Sequence, residues 1–144
     1  MIKLERIQHI LSDFRTMIQE DDLFAACPPD AKYPDHILLH LFASGNNSLV
    51  IAGSSGRYID SIDDEYSALS FINEWNKHSN GSTAYLVQGK EGKYTAAIHY
   101  EILMANKMDD DSLETAIYHC IAQFSMYYHS LYENRIYNSP NELL

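Results

Sequence analysis

Apolar residues recur every three or four positions over the first part of the chain. The residues with this spacing are Leu4, Ile7, Leu11, Phe14 and Ile18. The spacing places them in a narrow stripe along one side of an α-helix, with charged and amide side chains around the rest of its surface. The pattern predicts a first helix over residues 4–18, whose stripe is covered by a sheet or by another helix.

Between residues 23 and 58 the pattern changes to short apolar runs separated by turn-forming residues. Three of these runs predict strands: Leu23–Cys27, His36–Phe42 and Leu49–Ala52. Pro28 and Pro29 end the first run, because proline cannot donate a hydrogen bond to a strand ladder. The polar, glycine-containing residues 44–48 predict a hairpin loop between the second and third strands.

A second helix is predicted from about residue 61 to His78. Its apolar face carries Leu69, Ile72 and Trp75. Ser61 or Asp63 is expected to cap the start of this helix. Asn80-Gly81 is a stop signal, because a residue just past a helix end commonly adopts a positive φ.

Two amides lie on the apolar side of this second helix. Asn76 lies between Leu69 and Ile72 on the helical wheel, so the sequence predicts that it is buried, with Asn73 at the edge of the same face. A buried amide without partners costs about 1–3 kcal/mol. We therefore expect the amides to tie the helix end to a neighbouring strand or turn. The alternative is an amide pair that reads a ligand, although two carboxamides supply neither nucleophile, base nor charge.

The last predicted helix has an unusual composition. It begins near Asp109, where Asp111 and Glu114 have the spacing of a capping box, and continues to about Asn134. Its residues 115–132 include no Asp, Glu, Lys or Arg. One face is apolar and comprises Leu113, Ile117, Cys120, Ile121, Phe124, Tyr128 and Leu131. The opposite face, here called the outer strip, comprises Tyr118, His119, Ala122, Met126 and His129.

A helix face that contacts only water is usually charged, and the outer strip is not. The strip is therefore either covered within the chain or in contact with another chain. Aromatic and methionine side chains are well suited to protein recognition. We expect an interface here, with either a symmetric homodimer or a polypeptide partner.

A hairpin, Thr83–Gln88 with Lys93–Met104, precedes the last helix. The predicted order is then α-β-β-β-α-β-β-α, which indicates an α+β fold with a five-stranded antiparallel sheet and packed helices. The length of 144 residues suits one domain, assigned to residues 1–138. Residues 139–144 are expected to form a frayed tail.

The segment Phe71–Leu86 resembles the YbjN family, in which a helix ending in an Asn-x-x-Asn-like pattern leads into a strand with an Ala-Tyr-Leu-like start. The matching positions are Asn73, Trp75, Asn76, Ala84, Tyr85 and Leu86. The resemblance is best across Leu49–Leu131. It implies the type III secretion chaperone-like fold and a bacterial protein, in a family often described as sensory transduction regulators. It implies no reaction.

Charge narrows the possible partners. The chain has 20 acidic and 10 basic residues, for a net charge of −10. Such a charge opposes unassisted binding to nucleic acid and to an anionic membrane.

Cys27 and Cys120 form neither a CxxC pair nor a disulfide framework, and the first residues do not resemble a signal peptide. Both observations favour the cytoplasm.

No residue pattern predicts a catalytic, metal or cofactor site. His36 and His40 share a strand face but lie about 13 Å apart, too far for one zinc ion. The acidic residues 60–65 and 109–111 lack the alternating ligands and central glycine of a calcium loop, and helix-start carboxylates explain both. His119 points about 100° away from Cys120 on a helix, so the two do not form a nucleophile–base pair.

Together these observations lead us to expect a non-enzymatic protein-interaction module, chaperone-like or regulatory, that binds another polypeptide or itself. The alternative is a small-molecule sensor or enzyme that uses a pocket between helix and sheet, near Asn73, Tyr85 and Tyr100. A broad apolar surface would favour the first hypothesis. A deep pocket with convergent polar groups would favour the second.

Overall fold

The computed structural model describes residues 1–29, 33, 35–59, 62–134, 136 and 139–140. Its α-helices are α1 (Leu4–Ile10), α2 (Ile62–His78) and α3 (Asp110–Glu133). Its strands are β1 (Arg15–Gln19), β2 (Asp22–Cys27), β3 (Ile37–Ser44), β4 (Ser48–Ser55), β5 (Arg57–Tyr58), β6 (Ser82–Gln88), β7 (Tyr94–Ile102) and β8 (Ser139–Pro140). Short 3₁₀ turns span Lys90–Gly92 and Ala105–Lys107.

Six of the strands form one antiparallel sheet in the order β1-β2-β3-β4-β7-β6. The predicted α+β class and antiparallel sheet are confirmed. The predicted number of five strands was one too few, because β1 was assigned to the first helix. Strands β5 and β8 form a separate two-stranded pair.

The first helix ends at Ile10, not at residue 18 as the spacing predicted. The chain then turns and enters β1, which pairs with β2 through a two-residue turn at Glu20–Asp21. Glu20 adopts a positive φ of 56° in this turn. Residues 15–19 therefore form a strand instead of helical turns. In this strand Ile18 faces the core because side chains alternate between the two faces of the sheet.

The core lies between one face of the sheet and the helices. The inward rows of β3 and β4 alternate with outward residues, so that Leu39, Leu41, Leu49 and Ile51 are buried. Gly53 allows α3 to approach closely, since a Cβ added there would meet the Phe124 ring at 2.7 Å. The other side of the sheet, here called the open face, carries half-buried or exposed side chains that include Met17, Phe24, His40, Phe42, Tyr85 and His99.

The predicted cap of α3 differs from the observed one, and the predicted cap of α2 cannot be compared with the structure. The N-cap of α3 is Asp109, whose side chain accepts a hydrogen bond from the Ser112 amide at 2.7 Å, so Asp111 is not the cap. This bond holds the pKa of the Asp109 carboxyl below its usual value. Ser61 and the side chain of Asp63 lie outside the described residues.

Of the predicted frayed tail, Ser139 and Pro140 pair with Tyr58 and Arg57 as β8. Residues 141–144 lie outside the part of the chain that the structure describes. Among the described helices, none combines the length and apolarity that a membrane crossing requires.

Candidate functional site

The inner face of α3 is buried as predicted. All seven residues assigned to it are less than a tenth exposed: Leu113, Ile117, Cys120, Ile121, Phe124, Tyr128 and Leu131. Tyr127 is also fully buried, and the helical pattern did not predict it. It is covered because α2 packs on that side, with the Trp75 and Phe71 rings 5.2 and 5.7 Å from the Tyr127 ring.

The outer strip is divided into covered and exposed parts. Tyr118 is half-buried, with its ring 6.1 Å from the Phe14 ring. His129 is half-buried near the ring of Tyr33. The middle of the strip is open: His119 and Ala122 are exposed, and Met126 is 61% exposed.

The exposed part of the strip borders a cleft of about 430 Å³ between the C-terminal half of α2 and the middle of α3, here called the α2–α3 groove. It is lined by Phe71, Glu74, Trp75, His78, Ser79, Asn80, His119, Gln123 and Met126. Two predicted interface residues, His119 and Met126, therefore meet at one site with Trp75, one of the positions that carry the resemblance to the YbjN family.

A chain of hydrogen bonds runs along the groove. The Trp75 indole donates to Ser82 Oγ at 3.1 Å, and Ser82 Oγ donates to Gln123 Oε1 at 2.9 Å. Gln123 Nε2 lies 2.8 Å from His119 Nε2. In this arrangement the Gln123 nitrogen donates and His119 Nε2 accepts.

The polar groups of Trp75, Ser82, Gln123 and His119 are thus already bonded to one another. Ser82 is 4% exposed and joins the two helices through these bonds. At the outer rim, Glu74 and His78 form an exposed pair at 3.4 Å. The remaining surface consists mainly of Phe71, Trp75 and Met126. A surface of this kind favours apolar side chains over charged ligands.

Asn76 lies at an edge of the sheet and is exposed, so its predicted burial was wrong. Its Nδ2 donates to the Ala84 carbonyl at 3.0 Å, and the Ala84 amide donates to its Oδ1 at 2.7 Å. The side chain therefore takes the positions that a further strand would use on β6, as expected for an amide that ties the helix end to a strand.

The orientation of α2 explains this error. Its buried residues include Ala68 and Ile72, whereas Leu69 is 48% exposed. The covered face is therefore rotated away from Leu69 and Asn76. Asn73 is exposed.

Replacing Asn76 with Ala is expected to lower the free energy of unfolding by about 1–3 kcal/mol, because two hydrogen bonds to the β6 edge are lost. Asn73→Ala is the matched control and should cost less. Urea denaturation of both variants measures the difference. Equal, near-zero losses would contradict the assigned role of Asn76.

The residues of the alternative pocket are not brought together. Tyr85 lies on the open face with its ring 5.4 Å from His99. Tyr100 pairs with Ser82 and packs under Gly81, on the opposite face of the sheet. With Asn73 on the exposed side of α2, these three side chains do not line one pocket.

The histidines that suggested a metal pair have other contacts. His40 Nε2 lies 2.8 Å from Asp22 Oδ1, and its ring stacks on Phe24 at 4.8 Å. His36 is exposed just before β3. In the residues that the structure covers, no group of three His, Cys, Asp or Glu side chains is arranged to hold a metal ion.

We accordingly expect purified protein to contain no stoichiometric zinc or calcium after dialysis. Elemental analysis by mass spectrometry measures this, with the dialysis buffer as control. One metal ion per chain would contradict the prediction and would require ligands from outside the described residues.

Comparison with known proteins supports the fold. No protein-family model and no curated protein matches the chain. The crystal structure of YbjN from E. coli, described as "a putative transcription regulator", matches with a TM-score of 0.74 and 8% sequence identity, over 96% of this chain and 97% of that chain. The chain therefore has a YbjN-like fold. Membership of the YbjN family stays a prediction.

Proposed function

We propose that this chain is a non-enzymatic interaction module of the bacterial cytoplasm that holds a segment of another polypeptide in the α2–α3 groove. The observation that carries the proposal is the exposure of Met126, at 61%, beside an apolar groove in which Trp75, Gln123 and His119 are already hydrogen-bonded. Uncovered apolar surface at a cleft is typical of an interaction site.

The sequence left two occupants open at the outer strip, a polypeptide partner or a second copy. We favour the polypeptide, because the strip borders a concave cleft. The exposed residues His119, Ala122 and Met126 continue the cleft along α3, so that an extended or helical segment could place apolar side chains in the groove and continue past it. Self-association at this strip would need two copies of the same concave surface to fit one another.

Reactive groups among the described residues give little support to an enzyme. Burial raises the pKa of the Cys27 thiol to about 11 and raises that of Cys120 further, so neither is a thiolate near neutral pH. His119 uses its Nε2 to accept from Gln123, and Cys120 faces the core. The proposal therefore assigns no catalytic residue.

A chaperone-like or regulatory role fits both the fold and the charge. The neighbour YbjN is described as "a putative transcription regulator", and a net charge of −10 opposes direct contact of this chain with DNA. Regulation would then act through a protein partner.

Affinity purification of the tagged protein from its native lysate, followed by mass spectrometry, tests the proposal. We expect a polypeptide that is retained by the wild-type protein and lost when the groove is altered. Native mass spectrometry of the purified protein is run in parallel, since a bound small molecule would instead favour a sensor.

The sensor alternative has one specific observation in its favour. The Tyr127 hydroxyl is buried and has no hydrogen-bond partner among the described residues. Tyr127 packs against Trp75 and Phe71, which line the groove, and the groove volume falls within the range of small-molecule sites. A ligand found by native mass spectrometry and lost in Tyr127→Phe would support this alternative.

A further inference from the structure

The two edge strands of the six-stranded sheet, β1 and β6, differ in the hydrogen bonds made at their outer side. At the β6 edge, Asn76 bonds to the outward amide and carbonyl of Ala84. At the β1 edge, the described contact is a side-chain bond from Gln8 to Thr16 Oγ1 at 3.0 Å. No described strand lies beyond β1. An open edge with no proline, lysine or bulge can accept another strand.

The hairpin determines which groups of β1 point outward. Gln19 and Asp22 flank a two-residue turn and therefore form a hydrogen-bonded pair with each other. Because hydrogen-bonded and non-bonded pairs alternate, Thr16 and Ile18 direct their N–H and C=O groups away from β2. In the described sheet β1 pairs with β2 alone, and the described backbone hydrogen bonds outside helices and strands include none to these four groups.

This edge is complementary to itself. In an antiparallel pair related by a two-fold axis at Met17, Thr16 lies opposite the partner's Ile18, and both are the residues whose backbone groups point outward. Two such pairs would form four hydrogen bonds without any shift of the chain. The two Met17 side chains, each 56% exposed, would meet on the open face.

The charges agree with the same register. The chain has a net charge of −10, but Arg15 is the only charged residue of β1. Pairing about Met17 places Arg15 opposite the partner's Gln19, within reach of the acidic turn that begins at the partner's Glu20. Two such Arg–acid contacts would form, one at each end of the strand pair, and no like charges would lie opposite one another.

We propose that two copies of this chain pair through β1 in antiparallel register about Met17, which joins their sheets into one of twelve strands. This contact is separate from the α2–α3 groove and leaves that groove free. A pair of short strands buries little surface, so the dimer is expected to be weak, with a dissociation constant in the micromolar range.

Disulfide trapping tests the register. Met17→Cys would place two thiols on a non-bonded pair, with Cα atoms about 4.5 Å apart, within the range for a disulfide. Gln19→Cys is the matched control, also exposed on the same strand and face, but its two copies would lie about 13 Å apart. We expect covalent dimers from Met17→Cys under mild oxidation and at least tenfold slower formation from Gln19→Cys. The native cysteines are buried.

Sedimentation equilibrium of the full chain tests the dimer itself. Above micromolar concentration we expect a mass approaching twice the 16.5 kDa of one chain. Met17→Lys should return the measured mass to that of one chain, because two lysines would then face one another across the strand pair. The thermal melt of this variant should be unchanged, since Met17 is exposed. A monomeric wild-type protein at every concentration would overturn the proposal. So would a dimer that Met17→Lys leaves intact, or equal trapping rates for the two cysteine variants.

Discussion

Replacing Met126 with Glu is expected to weaken binding of the partner polypeptide by about thirtyfold or more. The variant places a carboxylate at the apolar mouth of the α2–α3 groove, where the described lining residues include no Lys or Arg to pair with it. An unpaired charge buried in an interface costs about 2 kcal/mol or more, which corresponds to that loss of affinity. Titration calorimetry with the identified partner measures the change.

Met104→Glu is the matched control for this experiment. Met104 is 47% exposed and precedes α3, whose first residue lies about 24 Å from Met126 along the helix axis. The Met104→Glu variant should bind the partner with the same affinity as the wild-type protein. Thermal melts of both variants should match the wild type, since both methionines are exposed. Equal binding by Met126→Glu and the wild type would place the partner elsewhere.

Replacing Gly81 with Ala is expected to lower the free energy of unfolding by about 2–4 kcal/mol, a larger loss than we expect for Asn76→Ala. Gly81 has φ +101°, a conformation that side-chain-bearing residues rarely adopt. An added Cβ would also lie 2.8 Å from the Tyr100 ring. The strain and the overpacking act together, because both arise at the turn into β6.

Gly45→Ala separates these two causes. Gly45 also has a positive φ, of +62°, but a Cβ there would have no atom within 4 Å. The free energy of unfolding that this variant loses should therefore come from backbone strain alone, about 1–2 kcal/mol. Urea denaturation of both variants gives the comparison. If Gly81→Ala were no more destabilising than Gly45→Ala, the close packing of Tyr100 on the turn would be contradicted.

The sequence was most informative where one element is long and faces one environment. The inner face of α3 could be predicted because seven apolar residues repeat over 24 helical residues. Periodicity was misleading for Phe14 and Ile18, which continue the spacing of α1 although the chain has already left the helix. There the pairing of β1 with β2, a contact between strands, outweighs the local helical pattern.

The groove could be predicted only in part. His119 and Met126 were identified from the absence of charge on the outer strip, and Trp75 from the resemblance. Ser82 and Gln123 were missed, because their bonds link α2, β6 and α3, which are distant in sequence. The sequence correctly predicted that Asn76 ties the helix to a strand, but it placed this residue in the core, whereas Asn76 is exposed. Helical spacing does not show that α2 lies beside an edge strand.

Photo-crosslinking from the groove in living cells tests most directly whether the α2–α3 groove holds a polypeptide. A photoreactive amino acid replaces Met126 in one strain and Met104 in a control strain, and the adducts are identified by mass spectrometry. We expect a polypeptide adduct that forms from position 126 and not from position 104. The same adducts from both positions, or none from position 126, would contradict the proposal that the groove holds a polypeptide.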